Sequence, residues 1–291
     1  MNFDETTLEK ILGRKQHTFP SLYDDCVDSY TDSTILITGA KGSLGVGVQN
    51  FLYRNKIRCN LIATDIVTGP EDDNEKILNV ASWPDVAKVV RRYNPDVIFH
   101  FAADKHAPAG EETPEETIKI NIGGTQNLLD ACDENTKIIL ASTCKSGNPE
   151  TVYGATKLIA ERLVLNRGHN VARFYNVVET SGNVFEIWNE QAMSDHTVTD
   201  CGRYFISLDE AISLVMFTGI QESGRYTIDP GKIRIMEDVY QDLYGGDAGR
   251  LSEPRRGDRV TELRIATSEK LKSVDNYPFE EIGNDHDVLW K

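Results

Sequence analysis

The sequence predicts an α/β protein built on a doubly wound parallel sheet with a smaller C-terminal lobe. Three observations predict it. Five short apolar runs alternate with amphipathic stretches. Each run is apolar almost throughout, as strands covered on both faces are. A glycine-rich turn follows the first run and opens a helix, the arrangement of a Rossmann-type nucleotide-binding sheet.

In chain order the strands are "TILITG" from residue 34, "CNLIATD" from 59, "DVIFHFAAD" from 96, "KIILAST" from 137 and "NVARFYNV" from 170. Each ends in small or polar residues. Between them, helices are expected over Ser43–Tyr53, Trp83–Tyr93, Thr113–Cys132 and Pro149–Asn166. Past residue 180 the regularity fades. "SLDEAISLVMFTGI" reads as a helix, "GRYTIDPG" as a strand and turn, and "IMEDVYQDLYGG" as a helix closed by glycines. The expected organisation is a lead-in segment over 1–30, a sheet domain over 31–180 and a substrate lobe over 181–291, lying across the carboxyl ends of the strands. In the lead-in, periodicity defines no element.

Composition narrows the function. With 291 residues, 40% hydrophobic content and a mean hydropathy of −0.39, the chain reads as a soluble globular protein. No apolar run approaches the ~20 residues of a membrane span, and the start lacks a signal-peptide pattern, so no membrane partner is expected. Five scattered cysteines without a CxxC pair support neither a metal site nor a disulfide framework, and a reducing cytoplasm is the expected location. A net charge of −15 argues against nucleic acid. It leaves room for an anionic small molecule gripped by a few arginines.

"ILITGAKGSLG" puts Gly39, Gly42 and Gly45 between a strand and a helix. Glycines there permit a positive-φ turn and close approach of backbone to a pyrophosphate, which the helix amino end attracts. Asp65 ends the second strand, twenty residues beyond Gly45. A carboxylate there can hold ribose hydroxyls and repel a 2′-phosphate, so NAD is expected over NADP. Lys41 inside the loop blurs that preference, and NADP stays open.

The third signal is "STCKSGNPETVYGATK", residues 142 to 157. Tyr153 and Lys157 fall four apart, on one face of a helix. An ammonium beside a phenol lowers its pKa, so the tyrosinate can take a hydroxyl proton during oxidation. Thr143, at the end of the preceding strand, can hydrogen-bond the same oxygen.

These segments resemble the extended short-chain dehydrogenase/reductase superfamily, and within it the inverting UDP-N-acetylglucosamine 4,6-dehydratases of flagellin-sugar and capsule-sugar synthesis. The likeness is carried by "EKILGR", "AADKHAPAGEETPEETIKINIGGTQN", "STCKSGNPETVYGATKLIAE", "RFYNVVETSGNVFEIWNEQ", "GRYFISLDEAISLV" and "EPRRGDRVTEL", in order along nearly the whole chain. The resemblance implies that Tyr153 and Lys157 serve oxidation at sugar C4 and that Lys145 removes the C5 proton. Asn176, Arg203, Arg255 and Glu262 are implied to bind the UDP-sugar, with Lys105 and His106 lining the cleft. The implied cofactor set is Gly39, Lys41, Gly42, Ser43, Leu44, Gly45, Asp65, Asn79, Val80, Ala102 and Ala103 with Tyr153 and Lys157; Asn79 stands where the family usually carries an aspartate facing adenine. A homodimer or higher homo-oligomer paired through Thr113–Cys132 and Pro149–Asn166 is implied as well.

One departure bears on the chemistry. The family's Ser-Thr-Asp-Lys is here Ser142-Thr143-Cys144-Lys145. The missing aspartate protonates the departing C6 hydroxyl. A thiol with a reference pKa of ~8.5 can also donate, and Lys145 beside it is expected to favour the thiolate; the alternative is a buried cysteine without chemistry. The tunicamycin-pathway 5,6-dehydratases look similar in placing a cysteine here; they return hydride to C4. The lobe is also shorter than the family's between Gln191 and Arg203. The leading expectation is a UDP-N-acetylglucosamine 4,6-dehydratase. The alternatives are a 5,6-dehydratase, a UDP-sugar 4-epimerase, against which Lys145 counts, and a non-catalytic dinucleotide sensor, which typically lacks the Tyr or the Lys.

Overall fold

The computed structural model describes residues 3–67, 76–246, 250–253 and 259–284. Its elements run in the order the apolar pattern sets. Helices α1 (Glu5–Leu12) and α2 (Leu22–Tyr30) precede strand β1 (Thr34–Thr38), helix α3 (Ser43–Arg54) and β2 (Asn60–Thr64). Next come α4 (Trp83–Tyr93), β3 (Val97–His100), α5 (Ala107–Glu112), α6 (Pro114–Ile118), α7 (Gly124–Ala131), β4 (Lys137–Thr143), α8 (Val152–Asn166) and β5 (Asn170–Phe174). The remainder holds β6 (Asn176–Val177), α9 (Val184–Glu190), β7 (Thr197–Thr199), β8 (Gly202–Arg203), β9 (Phe205–Ile206), α10 (Leu208–Ile220) and β10 (Arg225–Ile228). It closes with β11 (Arg234–Ile235), α11 (Met236–Tyr244), β12 (Arg250–Ser252), β13 (Glu269–Ser273) and β14 (Phe279–Asn284).

Eight strands form one sheet in the order β13-β14-β10-β5-β4-β3-β1-β2, parallel from β10 to β2. Strand order reverses between β1 and β3, so the loops leaving those two strands bound a crevice at their carboxyl ends. Alternation explains the continuous apolar runs. Ile35, Ile37, Phe99 and Ile139 face a layer with α2, α3 and α10. Leu36, Ile98, Ile138 and Leu140 face the opposite layer with α4, α7 and α8. Both faces are covered, so every position must be apolar.

Three departures from the sequence reading have physical reasons. The helix expected over Thr113–Cys132 is interrupted by a π-helical turn, Lys119–Gly123. Buried Asn121 in that turn accepts from the Asp104 amide (2.9 Å) and donates to Asp104 O and Thr156 Oγ1 (both 3.0 Å), tying the loop after β3 to α8. The helix expected from Pro149 starts at Val152, because the Thr151 hydroxyl caps it by accepting from Gly154 N. Third, "GRYTIDPG" does not sit in the outer lobe. Its residues Arg225–Ile228 are fully buried as β10 beside β5, and β14 and β13 extend the same sheet antiparallel. The lobe keeps α9, α11 and the short strand pairs β6–β9, β8–β11 and β7–β12. Its core (Trp188, Val198, Phe205, Val239, Tyr240) includes Leu8, Ile11 and Leu12 of the lead-in segment. Ile118 and Ile159, on the two helices expected to pair between subunits, are about half exposed.

A fully buried charge network ties the sheet to α8. Glu161 Oε2 accepts from Arg173 Nη2 (2.6 Å) and Arg225 Nε (2.8 Å), and Oε1 from Arg173 Nε (3.0 Å). Arg173 also grips Glu269 through both terminal nitrogens (2.6 and 3.0 Å). Removing one member of a buried network leaves the others uncompensated. Glu161→Ala should therefore lower the stability measured by urea unfolding by about 3–5 kcal/mol. Arg58→Ala, which breaks a pair with Asp32 on the open surface, should leave the midpoint unchanged.

Candidate active site

The crevice is built from three loops. After β1, Gly39 turns with φ +72°, and a Cβ there would stand 2.8 Å from the Ala102 amide, so this loop touches the one after β3. A Cβ on Gly45 would meet Gly39 O at 2.5 Å, so α3 can start this close to the turn only with glycine. No side chain caps α3, which leaves its first amides for an anion. Ser43 Oγ accepts from Ser181 N (3.3 Å), and Lys105 Nζ donates to Ser181 O (3.3 Å), so the lobe's 181 loop closes over the crevice. His106 is exposed at the start of α5.

On the dinucleotide side, the Asp65 carboxylate accepts from Lys41 N (2.8 Å) and Val67 N (3.0 Å). A cavity of about 170 Å³ opens beside it, lined also by Gln49, Thr64 and Lys76. Asn79 turns its Oδ1 to Ala81 N (3.0 Å). Val80 lies under Gly124, where a Cβ would meet its Cγ2 at 2.8 Å. The positive-φ turn, the uncapped helix and the carboxylate beside a cavity fit a dinucleotide. Among the described residues no His, Cys, Asp or Glu cluster could hold a metal ion.

On the chemical side, β4 ends at Thr143 and the chain turns through Cys144–Ser146. Thr143 Oγ1 accepts from Lys145 N (3.3 Å). Tyr153 and Lys157 stand one turn apart on α8, Tyr153 half-buried and Lys157 buried. Burial raises the Tyr153 phenol, and the ammonium opposing it is that of Lys145, aided by a hydrogen bond with Thr143. Lys157, the ammonium expected beside that phenol, is itself shifted. Burial pulls its ammonium down to about 8, with Glu161 acting the other way.

Lys145 Nζ lies 3.1 Å from Glu262 Oε1. Burial lowers this ammonium, but Glu262, Cys144 and Tyr153 together hold it above its ordinary value. Glu262 Oε2 also accepts from Asn176 Nδ2 (2.7 Å) and Tyr204 N (3.2 Å), and Arg203 Nε is 3.7 Å from its other oxygen. Lys145, Asn176, Arg203 and Glu262, all assigned from sequence, thus meet at one point. Arg203 Nη1 is occupied by Gly202 O and Arg259 O (3.0 and 2.7 Å). Arg255 lies outside the described residues. The Cys144 thiol is pushed up to about 11, by burial first and Glu262 second. Lys145 pulls toward the thiolate as expected but is outweighed, so the group is a neutral thiol.

Sequence reasoning passed over three residues that support this site: Asn121, Glu161 and His100. Glu161 had a signal, one turn beyond Lys157 on the same helix face. His100 had another, a polar residue closing an apolar strand. Its Nδ1 is 2.8 Å from Thr38 Oγ1 and its Nε2 is 3.1 Å from Thr125 Oγ1. Thr125 donates its own hydrogen to Asn121 O (2.7 Å), so His100 Nε2 carries the proton and Thr38 donates to Nδ1.

The doubly wound sheet with a glycine turn at its switch point is the fold of dinucleotide-binding proteins. More narrowly, the chain belongs to the family described as polysaccharide biosynthesis protein, matched over residues 35–245. An uncharacterized membrane protein of Methanocaldococcus jannaschii is 34% identical over 67% of this chain and 65% of its own length. The UDP-N-acetylglucosamine 4,6-dehydratase (inverting) of Campylobacter jejuni is 31% identical over 64% of this chain and 63% of its own. The capsular polysaccharide biosynthesis protein of Staphylococcus aureus is 29% identical over 99% and 51%. The chain thus spans about half to two thirds of the length of these relatives. Among solved structures, Pen from Bacillus thuringiensis superposes with a TM-score of 0.70 at 22% identity, covering 87% of this chain and 88% of that one. UDP-glucose 4-epimerase of Thermus thermophilus, in complex with NAD, gives 0.67 at 19%, covering 79% and 89%. Both share the fold. No helix among the described residues is long and apolar enough to cross a membrane.

His100 also gives the site a pH signature. Burial, helped by Lys157, pulls its pKa from 6.5 to about 3. The unfolded chain then binds the extra proton between those values, so this contribution is complete above pH 6.5 and is lost as pH falls toward 3. His100→Gln keeps a donor and an acceptor without the titration. Its unfolding free energy, measured by urea titration at a series of pH values, should fall less steeply across that window than that of the unmutated protein.

Proposed function

We propose that the protein is a nicotinamide-dependent nucleotide-sugar dehydratase acting on UDP-N-acetylglucosamine or a close relative. The observation that carries this reading is Lys145, a second lysine whose charge acts on Tyr153 within the crevice. Oxidation at C4 alone, as in an epimerase, asks only for Tyr153 and Lys157. A further basic side chain beside the phenol suits removal of the neighbouring C5 proton, which becomes acidic once C4 is a ketone.

In this reading Tyr153 takes the C4 hydroxyl proton and Thr143 orients the same oxygen. Lys157, buried one turn along α8, would help to hold the cofactor beside Tyr153. Gly39, Gly42, the α3 amides and Asp65 would hold a nicotinamide dinucleotide, which when bound would supply the oxidant for C4 and return the reducing equivalent. Lys145, as the free amine, takes the C5 proton while the C6 hydroxyl leaves. That hydroxyl departs as water with a proton from the Cys144 thiol. A thiol at about 11 is full at neutral pH and still far more acidic than water, near 15.7. Cys144 standing in place of an aspartate also favours a second reading, a 5,6-ene product with C4 reduced again. The curated relatives' names support the substrate class, and the five free cysteines suit a reducing cytoplasm.

Two outcomes test the proposal. With UDP-N-acetylglucosamine, Tyr153→Phe should abolish both cofactor reduction and water loss. Lys145→Ala should slow cofactor reduction without abolishing it, since its charge acts on Tyr153, yet stop water loss and solvent-deuterium uptake at C5, followed by absorbance and mass spectrometry. Unchanged water loss in Lys145→Ala would remove the base from this scheme. For the cofactor, NAD should bind more tightly than NADP, and Asp65→Ala should narrow the gap. Equal or tighter NADP binding by the unmutated protein, in calorimetric titration, rules out the role given to Asp65.

A further inference from the structure

The Lys145–Glu262 pair joins groups 117 residues apart in the chain. Nothing in the dehydration scheme calls for a carboxylate at this point. A base must be an amine, and a carboxylate 3.1 Å away keeps an amine protonated. Glu262 is nearly sealed, its side chain 2% exposed, while Lys145 keeps 22%. The carboxylate is also tethered without Lys145. Asn176 Nδ2 and Tyr204 N hold Oε2, and Asn176 is itself fixed by donating to Tyr204 O (2.9 Å). The lysine, on its flexible stem, is the partner free to move.

The other charged or titratable groups here are few. Cys144 stands beside Lys145 in its own turn, and Tyr153 faces it from α8. Asp104, from the loop after β3, acts on Tyr153, and Arg173 of β5 acts on Cys144. Arg203 of β8 stands behind Glu262. Cys144 and Tyr153 are neutral at neutral pH, since burial raises both. Glu262 is therefore the one full negative charge in contact with Lys145 among the described residues.

We propose that Glu262 is a positioning residue that holds Lys145 as an ammonium in the sugar-free protein, so that Lys145 becomes a base only when this ion pair loosens. The proposal rests on the reading of Lys145 as the C5 base, but its first test does not. Burial disfavours the ammonium, so once the countercharge is removed the free amine should appear at lower pH. Glu262→Gln removes the charge and keeps the shape; Glu262→Asp keeps the charge.

The test is the rate of reductive dimethylation at Lys145 by formaldehyde and cyanoborohydride, read by peptide mass spectrometry from pH 7 to 10 on the full chain. Only the free amine reacts. Glu262→Gln should raise labelling of Lys145 at a given pH by about tenfold or more, one pKa unit being tenfold in free amine. Lys105, exposed and bonded to Ser181 O instead of Glu262, should label as before, and Glu262→Asp should stay near the unmutated rate. An unchanged Lys145 rate in Glu262→Gln overturns the proposal, as does a rise shared by Lys105, which means loosened structure. A second readout, solvent-deuterium uptake at C5 of UDP-N-acetylglucosamine, should reach half-maximum at lower pH in Glu262→Gln. If labelling shifts and the uptake profile does not, the ion pair stands and Lys145 is not the base.

Discussion

The architecture of the site depends on where one buried carboxylate sits. Glu161 Oε1 accepts from the hydroxyls of Ser142 (2.5 Å) and Ser146 (2.6 Å), which bracket Thr143, Cys144 and Lys145. The guanidiniums of Arg173 and Arg225 balance its charge. An ion so far from water persists only when its oxygens are filled by donors, and here they are. Glu161 belongs to α8, the helix that carries Tyr153 and Lys157. A single side chain therefore fixes the turn through Cys144 and Lys145 against the helix that carries Tyr153 and Lys157. The carboxyl itself is held at about 2 by Arg173 and Arg225 against the cost of burial.

Around that anchor, other buried groups set the charges in the crevice. Of Lys145 and Lys157, Lys157, one turn from Glu161, is the less protonated, while Lys145 is held charged by Glu262. His100 stays neutral beneath them, its tautomer fixed through Thr38 and Thr125. Asn121 links the loop after β3 to α8 through Thr156, which explains a π-turn in a helix that periodicity reads as continuous. His100 and Asn121 are polar, buried and satisfied, the condition under which a polar network rigidifies a site.

Much of this was legible in the sequence, for physical reasons. A strand covered on both faces must be apolar at every position, so β1, β3 and β4 announce themselves. The glycine turn is readable because Gly39 and Gly45 stand where a Cβ would strike backbone. The placing of Tyr153 and Lys157 one turn apart on a helix, and of Thr143 at a strand end, follows from local spacing. What was illegible depends on contacts between distant segments. The placement of β10 in the sheet follows from its pairing with β5, across the whole inserted lobe. The Lys145–Glu262 pair has no local trace, and burial rather than sequence neighbours decides that Cys144 is a neutral thiol.

The central claim is that one crevice oxidises C4 in order to expel water from C6. Its most direct test is to supply UDP-N-acetylglucosamine carrying deuterium at C4 and to locate that deuterium in the product by NMR and mass spectrometry. The account predicts a 4-keto-6-deoxy sugar, lighter by one water, with the deuterium on C6; a 5,6-ene with the deuterium back on C4 keeps the claim and selects the second reading. Recovery of a sugar with no water lost, whether inverted at C4 or untouched, would contradict it.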